Sequence, residues 1–131
     1  MAVLTDEVKK VLQNTDMWVL ATADKDGIPN AVPINFVDIL SDTQIMLVDN
    51  LMNKTRANLE VNQNVAITAW HEHEGYQIKG QAKVETSGTN FEAAVAMVKK
   101  EKPYIDPKGV VIVDITAIYI TTPGPDNGKQ L

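Results

Sequence analysis

The stretch LMNKTRANLEVN, residues 51–62, carries two cations and a hydroxyl at what reads as the first turn of a short helix: Lys54, Thr55 and Arg56. The amide dipoles give a helix start a partial positive charge, so cations there are unfavourable unless an anion lies among them. Free backbone N–H groups, a hydroxyl and a basic side chain together form a ready phosphate site. The sequence therefore predicts an anion site here; the alternative is that both cations are solvated on an exposed helix.

Composition limits what else the chain does. It has 131 residues, 44% of them hydrophobic, a net charge of −5 and no cysteine. This predicts one domain over residues 1–122, followed by a polar, mobile tail over 123–131. The acidic balance argues against nucleic-acid partners, and the lack of cysteine removes thiol chemistry and cysteine-based metal sites. No secretory signal or membrane-length apolar run is apparent, so we expect a cytoplasmic protein without a membrane partner.

Hydrophobic periodicity predicts the elements that must position these residues. Leu4, Val8, Val11 and Leu12 form one face of a helix that Thr5 caps and Asn14 ends. Two further helices are predicted at about 53–61 and 90–100. β-rich or alternating segments predict six strands, at 17–23, 31–39, 44–49, 65–70, 76–85 and 110–122. Local connections favour a β-rich α+β fold, in which a mostly antiparallel sheet closes as a small barrel with peripheral helices.

Proline within the second predicted strand is informative. Pro33 cannot donate to a strand ladder, so it marks an edge or a bulge. Backbone groups beside it are then free on one side to bond a ligand.

These segments in this order resemble a known family. An Asp26-Gly27 turn leads into AVPINF, followed by NKTRANLEVNQNVAIT and the alternating GQAKVE. The pattern, over about residues 17–98, is similar to the pyridoxamine-phosphate-oxidase-like split-barrel flavoproteins, including the small FMN-binding proteins. The resemblance implies a six-stranded, mostly antiparallel split barrel that binds FMN without a covalent bond, in a pocket at a homodimer interface.

The resemblance also implies which residues bind the cofactor. The phosphate would lie at the turn after the third strand and the helix start, with Arg56 a further candidate, whereas Asn58 would organise the helix. The ring would lie against the second strand and the end of the third. The implied cofactor-binding set is Val32, Pro33, Ile34, Asn35, Val48, Asp49, Asn50, Asn53, Lys54 and Thr55.

The function implied is that of an oxidoreductase or electron carrier whose electron donor and acceptor are unknown. Flavin performs the redox chemistry itself, so no catalytic acid–base pair is expected in the sequence. The chain departs from true pyridoxamine-phosphate oxidases, because its end, PDNGKQL, lacks their Arg and His. The alternative is a cofactor-free, small-anion-binding or deazaflavin-binding split-barrel dimer without redox activity of its own.

Two other patterns are candidate metal sites. His71 and His73 would point the same way on a strand, but no third ligand follows at fixed spacing, which favours a solvated turn. The run from Asp24 to Gly27 resembles the start of a calcium loop, yet the distal Glu is missing, so a hairpin turn is expected. No metal site is predicted.

Overall fold

The computed structural model describes residues 2–131, which form a curled antiparallel sheet of seven strands with three helices. This is the α+β split-barrel fold expected from the sequence. The elements in chain order are α1 Asp6–Gln13, β1 Trp18–Ala23, β2 Pro29–Ile34, β3 Val37–Ile39, β4 Gln44–Asp49, α2 Lys54–Val61, β5 Asn64–His71, β6 Glu74–Glu85, α3 Thr89–Glu101 and β7 Gly109–Ile120. The strands lie in the order β2-β1-β5-β6-β7-β4-β3.

The predicted count of six strands was wrong, because the segment 31–39 is two strands rather than one. β2 pairs with β1, placing Ile34 opposite Trp18, whereas β3 pairs with β4, placing Val37 opposite Leu47. β2 and β3 therefore lie at opposite edges of the sheet, and residues 35–36 carry the chain from one edge to the other. The apolar pattern runs on through this point, so periodicity alone does not reveal the break.

The turn between β1 and β2 is the expected hairpin turn. The carboxylate Oδ1 of Asp24 accepts hydrogen bonds from the backbone N–H groups of Asp26, at 2.8 Å, and Ile28, at 2.9 Å. Gly27 has a φ of +82°, a left-handed conformation that glycine adopts without strain. The acidic side chain at the first position is thus occupied in closing the turn.

Helix α1 forms because its cap and its apolar face agree. The Thr5 hydroxyl accepts a bond from the Val8 N–H at 3.3 Å, satisfying one free donor of the helix start. Val8, Val11 and Leu12 are buried in the main core, and the indole N–H of Trp18 donates to the Leu12 carbonyl at 3.1 Å. The helix predicted at the N-terminus is confirmed.

A second apolar cluster covers the outer face of β4 and β7. Ala94 and Val98 of α3 pack there against Met46, Val48 and Val110. The opposite face of the same two strands contributes Ile45, Leu47, Val111 and Val113 to the main core. Because β4 is packed on both faces, the turn that follows it begins at a buried strand end.

The C-terminal tail, which we expected to be mobile, folds back on β7. The Ile120 N–H donates to the Lys129 carbonyl at 2.9 Å, and the Leu131 N–H donates to the Ile118 carbonyl at 2.8 Å.

Within residues 2–131, no helix has the length and apolar character needed to cross a bilayer.

Candidate functional site

A cleft of about 480 Å³ lies between the edge strand β2 and the start of α2. This volume falls within the range of roughly 300–1,000 Å³ typical of sites for small molecules and cofactors. Three parts of the chain form its walls: β2 with the two residues after it, the end of β4 with the following turn, and the segment after α3. The lining residues are Asn30, Val32, Pro33, Ile34, Asn35, Phe36, Val48, Asn50, Leu51, Met52, Asn53, Lys54, Thr55, Lys102 and Ile105.

Nine of the ten residues predicted to bind a cofactor line this cleft. They are Val32, Pro33, Ile34, Asn35, Val48, Asn50, Asn53, Lys54 and Thr55. The structure thus brings the second-strand residues and the helix-start residues, about twenty positions apart in sequence, to one concave surface.

Asp49, the tenth predicted residue, does not line the cleft. It is fully buried, and its two carboxylate oxygens are occupied within the chain. Oδ1 accepts from the Met52 backbone N–H at 2.9 Å, and Oδ2 accepts from the Arg56 guanidinium at 2.8 Å. Asp49 therefore supports the turn from beneath, because its carboxylate joins that turn to α2.

The same ion pair engages Arg56, which was a further candidate for binding the phosphate. Its guanidinium lies against Asp49, with 29% of the side chain exposed. One of the two cations that raised the question of a phosphate is thus paired within the chain, and Lys54 is left as the cation of the helix start that lines the cleft.

The backbone N–H groups at the start of α2 donate no hydrogen bond to a capping side chain. Asn53, the N-cap residue, makes no side-chain capping bond, and the first turn holds no acidic residue. Lys54 is exposed, and none of the ion pairs found within residues 2–131 involves it. An uncapped helix start beside a free ammonium group is electrostatically suited to an anion.

A buried polar network fixes the helix start against the sheet. The Thr22 hydroxyl accepts from the side-chain amides of Asn30, at 3.2 Å, and Asn58, at 3.0 Å. The Asn30 amide also donates to the Thr55 hydroxyl at 2.9 Å. Because the Thr55 oxygen accepts this bond, its own proton remains to donate into the cleft. Asn58, expected to organise the helix, joins α2 to β1 through its bond to Thr22 and does not line the cleft.

Asn50 is the polar residue of the cleft whose bonding is incomplete. Its Oδ1 is buried and is the one buried side-chain polar atom within residues 2–131 that has no hydrogen-bond partner. A buried acceptor without a partner costs free energy, which a hydrogen-bond donor that reaches the atom would recover. Since Asn50 lines the cleft, a bound molecule with an N–H or O–H group could supply that donor.

Sequence reasoning missed six lining residues: Asn30, Phe36, Leu51, Met52, Lys102 and Ile105. Asn30 had a signal, because it lies two and four positions before Val32 and Ile34 and therefore shares their face of β2. Lys102 and Ile105 had none, since they follow α3 and reach the cleft only through tertiary packing.

The two histidines lie elsewhere. They flank the β5–β6 turn, where Glu72 has a φ of +56°, and they line a separate surface cavity of about 580 Å³ together with residues 122–126. No group of three or more potential metal-ligating His, Cys, Asp or Glu residues is found in the described part of the chain, residues 2–131.

Comparison with known proteins identifies relatives across the whole chain. An uncharacterized protein of Methanocaldococcus jannaschii is 38% identical over 131 aligned residues, covering 98% of this chain and 87% of that protein. HupZ of Group A Streptococcus superposes with a TM-score of 0.83 at 28% identity, covering 95% of this chain and 99% of that one.

More distant structures share the fold. An FMN-binding protein of Syntrophomonas wolfei superposes with a TM-score of 0.78 at 16% identity, covering 88% of this chain and 83% of that one. HutZ, the heme storage protein of Vibrio cholerae, superposes with a TM-score of 0.69 at 17% identity, covering 92% and 95% respectively.

The family profile described as pyridoxamine 5'-phosphate oxidase matches residues 4–122, from the residue before the α1 cap to just beyond β7. The match covers every strand and helix of the structure, and it agrees with the resemblance seen in the sequence. The chain belongs to the pyridoxamine 5'-phosphate oxidase family.

Proposed function

We propose that this protein binds FMN non-covalently in the cleft between β2 and α2 and acts as an oxidoreductase or electron carrier. The single observation that carries the proposal is the composition of the cleft. An uncapped helix start with a free lysine lies beside an apolar edge strand and a buried, unpartnered amide oxygen. A phosphate joined through a polar chain to a flat, mostly apolar ring suits these three features.

The phosphate end of the ligand would lie at the start of α2. Lys54 supplies a positive charge, Thr55 a hydroxyl proton, and the helix its free N–H groups. Lys102 lines the same cleft and adds a second ammonium group. A phosphate monoester carries nearly two negative charges at neutral pH, which these groups would offset.

The ring would lie against β2. This strand is at the edge of the sheet and pairs with β1 alone, so its outer backbone groups have no strand partner in residues 2–131. Val32, Pro33 and Ile34 give an apolar surface there, followed by the polar Asn35. When bound, the isoalloxazine supplies the redox chemistry, and the chain supplies binding and orientation.

The unpartnered Asn50 oxygen favours a nucleotide-like ligand over a small anion. The dianionic phosphate group of a monoester has acceptors and no donor, so the donor for this carbonyl oxygen must come from another part of the ligand. A flavin has both an imide N–H and ribityl hydroxyls. Because the apolar residues Val32, Pro33 and Ile34 also line the cleft, its residues fit FMN better than they fit inorganic phosphate, which bears on the alternative of an anion-binding protein without redox activity.

Heme is the competing cofactor, since HutZ is a heme storage protein. Protein ligands to heme iron include His, Cys, Met and Tyr. Among the residues that line this cleft, all within the described part of the chain, Met52 is the one of these types, and its side chain is buried in the main core, while both histidines lie at the β5–β6 turn. The cleft thus favours flavin.

We further propose that the protein is a homodimer in which the second copy covers the cleft. Leu51, a lining residue, is 85% exposed, which is unusual for an apolar side chain beside a binding site. A partner subunit would cover it and complete the pocket. Mass determination in solution tests this: a dimer is expected, and a monomer at high concentration would contradict it.

The absorbance spectrum of the purified protein is the first experiment. We expect a yellow protein whose flavin spectrum sharpens or shifts on denaturation as FMN is released. A deazaflavin would absorb at shorter wavelength, and heme would give an intense Soret band. A colourless protein that takes up no added FMN would refute the proposal.

Substitution of Lys54 tests the position of the phosphate. Losing a charge-assisted bond weakens binding by roughly 10–100-fold, so Lys54→Ala should lower FMN affinity by that factor. Riboflavin, which lacks the phosphate, should bind almost unchanged. Lys25→Ala, in the exposed β1–β2 turn outside the cleft, is the matched control and should affect neither ligand. Equal losses for both flavins would mean that the phosphate binds elsewhere.

A further inference from the structure

Asn50 occupies a turn that the structure holds in place from below. The residue before it, Asp49, is fully buried and bonds the N–H of Met52 at 2.9 Å, so Asn50 and Leu51 are the central residues of a closed turn. Arg56 holds the same carboxylate from α2. The backbone on both sides of Asn50 is therefore held in place, and Asn50 is one of the residues that line the cleft.

The orphaned oxygen defines what the cleft lacks. Oδ1 of Asn50 is buried without a partner, whereas Asn30, Thr55 and Thr22 in the same region are hydrogen-bonded to one another. A ligand that covers this part of the cleft must bring a donor to the oxygen, or binding leaves the oxygen unpaired.

From this we infer that Asn50 Oδ1 accepts a hydrogen bond from an uncharged donor of the bound flavin, either the ring imide N–H or a ribityl hydroxyl. The inference rests on the proposed FMN function. It makes Asn50 the residue that recognises the part of the ligand common to FMN and riboflavin, whereas Lys54 recognises the phosphate. The two residues would therefore control separable parts of the affinity.

Two variants at position 50 separate the acceptor from the shape of the side chain. Asn50→Leu keeps nearly the same size and removes the acceptor, whereas Asn50→Asp keeps acceptor oxygens. Dissociation constants for FMN and riboflavin are measured by quenching of flavin fluorescence, with circular dichroism to check folding. We expect Asn50→Leu to weaken both ligands by the same factor, roughly 3–10-fold, and Asn50→Asp to bind riboflavin nearly as the wild type does.

A methylated probe identifies the donor. 3-Methylriboflavin lacks the imide proton and keeps the ribityl hydroxyls. If the wild type binds it more weakly than riboflavin and Asn50→Leu does not distinguish the two, the imide is the donor. If both proteins distinguish the two flavins equally, while Asn50→Leu still weakens riboflavin, a ribityl hydroxyl is the donor.

Several outcomes would overturn the inference without touching the proposed function. The first is unchanged flavin binding by Asn50→Leu, the second is a loss of affinity for FMN alone, and the third is an equal loss of affinity in Asn50→Leu and Asn50→Asp. In each case the proposed function stands if Lys54→Ala still lowers the affinity for FMN and not that for riboflavin. Failure of the wild type to bind any flavin would overturn both proposals.

Discussion

The ion pair between Asp49 and Arg56 should be a major contributor to stability near the site, and replacing Arg56 tests this. The Asp49 side chain is 1% exposed and that of Arg56 is 29% exposed, with an N–O distance of 2.8 Å. Arg56→Met would leave a buried carboxylate bonded only to the Met52 N–H. Hydrogen bonds to charged groups contribute roughly 1.5–3 kcal/mol, and water reaching the vacated side reduces the loss, so we expect about 2 kcal/mol.

Equilibrium unfolding in urea measures this loss. The midpoint should fall while the slope with urea concentration stays constant, because the surface exposed on unfolding hardly changes. For a domain of this length, about 2 kcal/mol corresponds to a fall in the melting temperature of roughly 5–10 °C. The matched control is Lys129→Met, which removes an ion pair to Asp126 of the same 2.8 Å distance with both side chains 65% exposed. That variant should change stability by less than about 1 kcal/mol.

A double-mutant cycle isolates the pair itself. Asp49→Asn alone, Arg56→Met alone and the two together should give a coupling free energy of about 2 kcal/mol. Both single variants should also weaken FMN and riboflavin to a similar extent, because the pair supports the turn that carries Asn50 and does not contact the phosphate. A coupling near zero, or a loss no larger than that of the Lys129 control, would refute the reasoning.

Two further predictions concern groups at other places in the fold. Thr22→Val removes the acceptor shared by the amides of Asn30 and Asn58 and leaves a buried donor unpaired. The free energy of unfolding, measured in urea, should fall by roughly 1–3 kcal/mol. The control is Thr116→Val at an exposed position, which should be nearly neutral. Burial, aided by the hydrogen bond to Glu74, raises the pKa of Tyr76 to about 12 from 10.0. The folded state therefore favours the protonated phenol: its contribution is fully present below pH 10 and is lost as pH rises through 12. Stability should fall by roughly 1 kcal/mol more between pH 9 and 11 in the wild type than in Tyr76→Phe, and identical pH profiles would contradict this.

Much of the fold could be predicted because its signals are local. The cap at Thr5, the face formed by Val8, Val11 and Leu12, and the turn at Gly27 each depend on a few neighbouring residues. The order of strands and helices follows from such signals, and only the division of 31–39 into β2 and β3 was wrong. That division depends on which edge of the sheet each half joins, and this is decided by pairing with β1 and β4, far away in sequence.

The candidate site was predicted through residue types at the start of α2 and through the family resemblance, and nine of the ten residues do meet at one cleft. Asp49 was predicted to line the site and does not, because a sequence does not show whether a carboxylate at a strand end faces a ligand or a buried arginine. Arg56 was open to two roles for the same reason. Only the packed structure shows that the two side chains neutralise each other.

The sequence by itself thus determined most of the elements, the family and the lysine at the start of α2, because helix capping, alternation and turn chemistry act over a few residues. The tertiary structure alone decided which of the two cations is free, that Lys102 and Ile105 join the cleft, and that one amide oxygen of Asn50 lacks a partner. Those properties depend on which groups meet across the sheet and on which are removed from water, and both are consequences of packing between distant parts of the chain.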